Sequence, residues 1–216
     1  TKGGQIIGLE ADLARIIAGA MGVNLELVPM PFAELLPAME KGEIDMILSG
    51  MTMTPKRNMK VAFVGPYFIS GKALLTKSES LAAAKEAKVL NTRNLTLAAL
   101  RGSTSQVFVE KGAPMAKLVT TSNYDEAVDM VIDGRVDAVV ADFPIVVVAG
   151  LRHPEADLAA VVDPLTFEPL GVAVPAGDPL LVNWLENVML TLEGTGVLSA
   201  LRHQWLEDGA WLNLLK

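Results

Sequence analysis

The stretch Ile44–Gly71 reads IDMILSGMTMTPKRNMKVAFVGPYFISG. Its first part, Ile44 to Leu48, has the apolar character of a buried strand, and Ser49-Gly50 ends it. A Thr-rich turn follows, then a lone Arg57, then a second apolar segment ending at Pro66-Tyr67. This layout sets hydroxyls, backbone groups and one guanidinium at the carboxyl end of a strand, the edge where open α/β sheets bind small polar ligands. A guanidinium suits a carboxylate there, because its planar fork can make two parallel hydrogen bonds.

Working outward, helix and strand alternate along the chain. Leu13, Ile16, Ile17 and Ala20 recur at helical spacing, and Gly22 stops that helix. The spacing predicts a strand over Leu25–Val28, a helix over Phe32–Lys41 and a strand over Ile44–Leu48. Beyond Gly71 it predicts a strand at Ala73–Leu75, then a charged, Ala-rich surface segment over Lys77–Lys88. A second set follows: strands at Thr96–Leu100, Leu118-Val119, Val136–Val140, Val161-Val162 and Gly171–Val174. Helices are expected at Ser105–Lys111, Tyr124–Ile132, Pro144–Ala149, Pro179–Leu192 and Thr195–Leu206. Such alternation implies a mostly parallel sheet with helices on both faces. GEIDMILSG (42–50) and GRVDAVVAD (134–142) repeat one helix–Gly–strand–Asp grammar.

The chain has 216 residues, 51% hydrophobic and 20% charged, enough for one core or two small ones. No apolar run approaches the roughly 20 residues that cross a bilayer. No charged-then-apolar signal segment opens it, as expected of a mature, trimmed or cytoplasmic protein. Its net charge is −7, and no basic cluster offers nucleic acid a phosphate-binding face. There is no cysteine, which removes disulfides and thiolate metal sites. Two histidines, His153 and His203, lack ligand spacing and argue against a zinc enzyme or a Ser-His-Asp hydrolase.

Four groups of residues bear chemistry. Thr52, Thr54 and Arg57 form the first; Thr54-Pro55 suits a helix start, and a solvated surface turn is the simpler reading. Gly102-Ser103-Thr104-Ser105-Gln106 follows a strand and opens a helix, with Ser103 and Gln106 at capping-box spacing. Such a junction aims N–H groups and a helix dipole at one spot and attracts anions, though plain capping also accounts for it. It lacks the glycine spacing and lysine of a phosphate loop. Asp142, at a strand's carboxyl end, is either a helix cap or a partner for an ammonium. Phe32, after Pro29-Met30-Pro31, is either a core ring or one facing a cleft. A guanidinium and amides for a carboxylate, an acid for an ammonium and a ring for a side chain together describe an α-amino acid site.

The strings GLEADLARIIA (8–18), PFAELLPAMEKGEIDMILSGMTMTPKR (31–57), VGPYFISG (64–71), LRGSTSQ (100–106), GRVDAVVADFP (134–144) and LGVAVPAGDPLL (170–181) carry a family resemblance. In that order, over nearly the whole chain, they resemble the family 3 extracellular solute-binding proteins, the polar amino-acid receptors of ABC importers. The resemblance implies a type II periplasmic-binding-protein-like α/β fold, two lobes joined by two crossover strands that close on a ligand. Lobe 1 would be residues 1–70 plus 171–216, and lobe 2 residues 71–170. It implies that Arg57 pairs with the ligand carboxylate and that the Gly50 carbonyl and Thr52 contact its amino and carboxylate groups. Ser103 and Thr104 would hold the carboxylate from the other lobe, Asp142 would take the ammonium, and Phe32 would stack on the side chain.

The resemblance implies no cofactor, a periplasmic or extracellular location, and an ABC permease in the membrane as partner. Only TKGGQII precedes Gly8, so lobe 1 is expected to lack the family's usual first strand, with a monomer or a strand-exchanged dimer as the result. Leu100 and Ala141 stand where glutamine-selective relatives carry polar groups, which points to a less polar ligand side chain. Arg101 lies near the implied site. Two other activities remain on the same fold. One is a cyclohexadienyl-dehydratase-like enzyme, with Glu168 as the nearest candidate general acid. The other is the sensing domain of a membrane receptor; the tail Trp205–Leu212 is expected to extend past the usual family end and shows no membrane span.

Overall fold

A computed structural model describes residues 1, 3–84, 86–160 and 165–215. The chain divides into two compact units. The first is Thr1–Met30, Leu35–Phe68 and Pro169–Lys216, and the second is Pro31–Glu34 and Ile69–Glu168.

In the first unit, α1 (Leu9–Met21) buries Ala11, Leu13, Ala14, Ile17 and Ala18 on one face. Gly22, at φ 69°, ends it in the left-handed conformation that needs no Cβ. After α2 (Leu35–Glu40) comes α3 (Pro55–Asn58), one turn with Thr54 as its cap. Strand β1 (Val61–Ser70) pairs with a late strand, Glu168–Pro175, in a two-stranded sheet. Single antiparallel bridges, Ile47 to Ala173 and Thr52 to Leu170, attach the 47–52 segment to that late strand. Two closing helices, Pro179–Gly194 and Val197–Leu206, bury Leu185, Met189, Leu192, Leu198, Leu201 and Trp205. The Trp205 indole N–H donates to Asp12 Oδ2 at 2.9 Å, tying the last helix to α1.

The second unit holds β2 (Lys72–Thr76), α4 (Glu79–Ala82), β3 (Thr96–Leu100), α5 (Thr104–Gly112), β4 (Lys117–Thr121), α6 (Tyr124–Ile132), β5 (Ala138–Asp142), α7 (Phe143–Arg152) and β6 (Ala159–Ala160). The late strand is then β7, and the closing helices are α8 and α9. The sheet order is β4-β3-β5-β2-β6. Alternate side chains leave it on opposite faces. Ala73, Leu75, Val139 and Ala141 meet Val128 and Val131 of α6 and Val146 of α7 in one core. Leu74, Leu97, Ala138 and Val140 meet Leu81 of α4 and Val109 of α5 in the other.

Several expectations need correction. The sheet is mixed: β3 is parallel to β4 and β5, but β2 is antiparallel to β5 and β6. Only the β3-α5-β4 and β4-α6-β5 stretches are crossover units, which force parallel pairing; β2 joins by a long-range contact that no local pattern announces. Leu25–Val28 carries no strand, and Val23 and Val28 are about half exposed. Ile44–Leu48 is reduced to the single bridge at Ile47. Phe32–Lys41 begins with a 3-10 turn, Phe32–Glu34, before α2. Strand β5 starts two residues later than expected and carries Asp142 at its end. The 77–88 segment is not wholly superficial, since it contains α4 with Leu81 buried. The strand expected at Val161-Val162 lies outside the described residues.

Candidate functional site

In the first unit the Arg57 side chain is held by local chemistry. Thr54 Oγ1 accepts the Arg57 backbone N–H at 3.2 Å, and Pro55 fixes the first helical φ. That cap turns the side chain back over the preceding 47–52 segment, where its Nη1 donates to the Thr52 carbonyl at 2.9 Å. Arg57 and Thr52 are both buried, at 8% and 3% exposure. The Gly50 N–H donates to the Glu10 carboxylate, and so does the Tyr67 hydroxyl. Gly50, Thr52 and Arg57 thus share one corner of this unit, with Glu10 and Tyr67 as supports that spacing alone did not reveal.

In the second unit Ser103 caps α5: its Oγ accepts the Gln106 N–H at 3.2 Å and donates to the Leu100 carbonyl at 2.7 Å. Gln106 Oε1 accepts from the Gly102 N–H at 2.8 Å, one residue before the position a capping box would use. Gly102 has φ 78°, and a Cβ there would lie 3.1 Å from the Cβ of Ala33. The turn that starts with Phe32 therefore packs on the β3–α5 junction, beside Ser103 and Thr104. Asp142 precedes α7 but makes no side-chain cap. Its Oδ1 accepts from Lys72 Nζ at 2.6 Å, and the same ammonium donates to Thr104 Oγ1 at 2.7 Å.

Lys72 is the residue that sequence reading missed. It is fully buried and also lies 3.4 Å from Glu168 Oε2. The one signal was a lysine heading an otherwise apolar strand. Thr104, Asp142 and Phe32's turn are brought into one unit with Ser103; Gly50, Thr52 and Arg57 belong to the other. One side reading changes. Ala141 packs in a core cluster, so its apolar character reflects packing. The Arg101 residue is exposed.

Among the described residues no helix is long and apolar enough to cross a membrane. Residues 1–208 match the family model of bacterial extracellular solute-binding proteins, family 3. The chain belongs to this family. An arginine-binding periplasmic protein of Mannheimia haemolytica is 26% identical over 206 residues, 94% of this chain and 83% of that protein. A putative ABC-transporter binding component from Wolinella succinogenes, solved with lysine, superposes with TM-score 0.92 at 36% identity, covering 99% of this chain and 91% of that one. The ancestral amino-acid-binding protein AncCDT-1, a precursor of cyclohexadienyl dehydratase, gives TM-score 0.87 at 35% identity, covering 96% and 88%. As a family 3 protein, the chain has the type II periplasmic binding fold of these amino-acid-binding neighbours. Family 3 relatives include binders of arginine, lysine and glutamine that serve ABC transporters.

Proposed function

We propose that this protein captures a free L-amino acid outside the cytoplasm, between its two lobes, and delivers it to an ABC permease. The observation that carries the reading is a pair of buried, opposite charges, one in the short helix α3 and one at the end of β5. Arg57 lies in one unit at 8% exposure and Asp142 in the other at 6%. Arg57 takes the ligand carboxylate, assisted by Thr52 and the Ser103-Thr104 helix start, while the Gly50 carbonyl accepts from the ligand ammonium. Asp142 takes the ammonium, and the Phe32 ring meets the side chain. Charge-assisted hydrogen bonds of this kind strengthen as lobe closure removes water.

Lysine and arginine are the first ligands to test, because the relatives named above include a lysine complex and an arginine-binding protein. A thermal-shift screen of the twenty amino acids checks the proposal, since a ligand that binds only the folded state raises the melting temperature by mass action. At least one basic amino acid at 1,000 times its Kd stabilises by about 4 kcal/mol. No shift with any of the twenty contradicts the proposal. Binding without chemistry is the reading for this chain, so prephenate and arogenate remain unconverted in a turnover assay.

A further inference from the structure

Lys72 heads β2 with its side chain wholly buried. An ammonium in that position needs full compensation. It finds Asp142 Oδ1 at 2.6 Å, Thr104 Oγ1 at 2.7 Å and Glu168 Oε2 at 3.4 Å. Asp142 stands directly across the ladder from it. Glu168 is itself held in place. Its Oε1 accepts from the Thr166 hydroxyl at 3.1 Å, and Thr166 Oγ1 accepts the Lys72 backbone N–H at 2.9 Å. The Lys72 carbonyl in turn accepts the Leu165 N–H at 2.7 Å.

Buried ion clusters are poor stabilising devices, because apolar residues of similar volume usually do as well or better. Charge explains this one. Asp142 with Lys72 alone would be a neutral pair, and a second ammonium approaching that carboxylate would meet a buried like charge. Glu168 adds a carboxylate on the far side of the same ammonium and leaves the trio with one net negative charge. We infer that Glu168 is a positioning residue of the amino-acid site, acting through Lys72 to restore to Asp142 the charge that a ligand ammonium requires. The inference rests on the proposed amino-acid binding.

Calorimetric titration with lysine and arginine, paired with ligand-free melting, tests it. Glu168→Gln keeps an acceptor for Thr166 and removes the charge; affinity falls about tenfold or more while the ligand-free melting temperature holds. The double variant Lys72→Met/Glu168→Gln removes both opposed charges of the trio and keeps the Asp142 carboxylate. Its affinity returns to within about threefold of wild type, a coupling that independent structural roles would not give. Wild-type affinity in Glu168→Gln overturns the inference. A folded double variant that binds no better than Glu168→Gln also overturns it. If the double variant does not fold, the Glu168→Gln titration decides alone. Wild-type protein that binds no amino acid overturns the underlying reading, and this inference with it.

Discussion

Thr121 and Glu126 lie five residues apart and show how differently single groups are used. Among the described residues the buried Thr121 hydroxyl has no hydrogen-bond partner, a costly arrangement for a polar group. Thr121→Val keeps the shape and removes that cost, so urea unfolding should show a gain of about 1 kcal/mol. Glu126 is exposed, and its carboxylate accepts the Ser122 N–H and hydroxyl, both at 2.8 Å. The Ser122 backbone bond and then its hydroxyl hold the Glu126 carboxyl below its ordinary value, opposed by desolvation and helped less by the positive charges of Arg101 and Arg135. A depressed carboxyl stabilises the folded state above its unfolded-state pKa and loses that contribution as pH falls through its folded value. Glu126→Gln should therefore lower stability slightly at neutral pH, leave it little changed at low pH, and so flatten part of the acid limb of a stability-against-pH curve. At this scale sequence reading did well where partners are near. Thr54 and Ser103 each cap the N–H three residues on, as their spacing predicted. Lys72 escaped notice because its partners Thr104 and Asp142 are 32 and 70 residues away.

Elements were legible when their own pattern sufficed and opaque when a neighbour decided them. Helix α6 runs Tyr124–Ile132, the span its apolar spacing marks, with Asn123 capping it. The two stretches of first-unit sequence that read as strands, Leu25–Val28 and Ile44–Leu48, have strand composition without a ladder. Composition alone cannot supply a pairing partner, which is why β propensity is a weaker guide than helix periodicity. The antiparallel entry of β2 was hidden for the same reason. Junction geometry gives the sharpest element-scale prediction. Gly102→Ala must accept a positive φ and press on Ala33, so it should destabilise by about 1–3 kcal/mol. In the core, Leu97→Ala removes a fully buried side chain from β3, an internal strand of the second-unit sheet, and should cost about 2–5 kcal/mol in denaturant unfolding.

At the scale of the whole chain, strings spread from residue 8 to residue 181 identified the family, and the match over residues 1–208 establishes it. The ligand was less legible. The cue from Ala141 dissolved once that residue was found in the core, and Lys72, which ties Asp142 to Glu168, lies far from both in sequence. The proposed binding by both units predicts that loss of either charged anchor abolishes most affinity, because the remaining groups would grip one end of a zwitterion. Calorimetric titration of wild-type protein and Arg57→Ala with L-lysine and L-arginine tests this most directly. The account predicts saturable binding by the wild type and a loss of about 2–5 kcal/mol in the variant, with its ligand-free melting still cooperative. Equal affinity in the two proteins would contradict it.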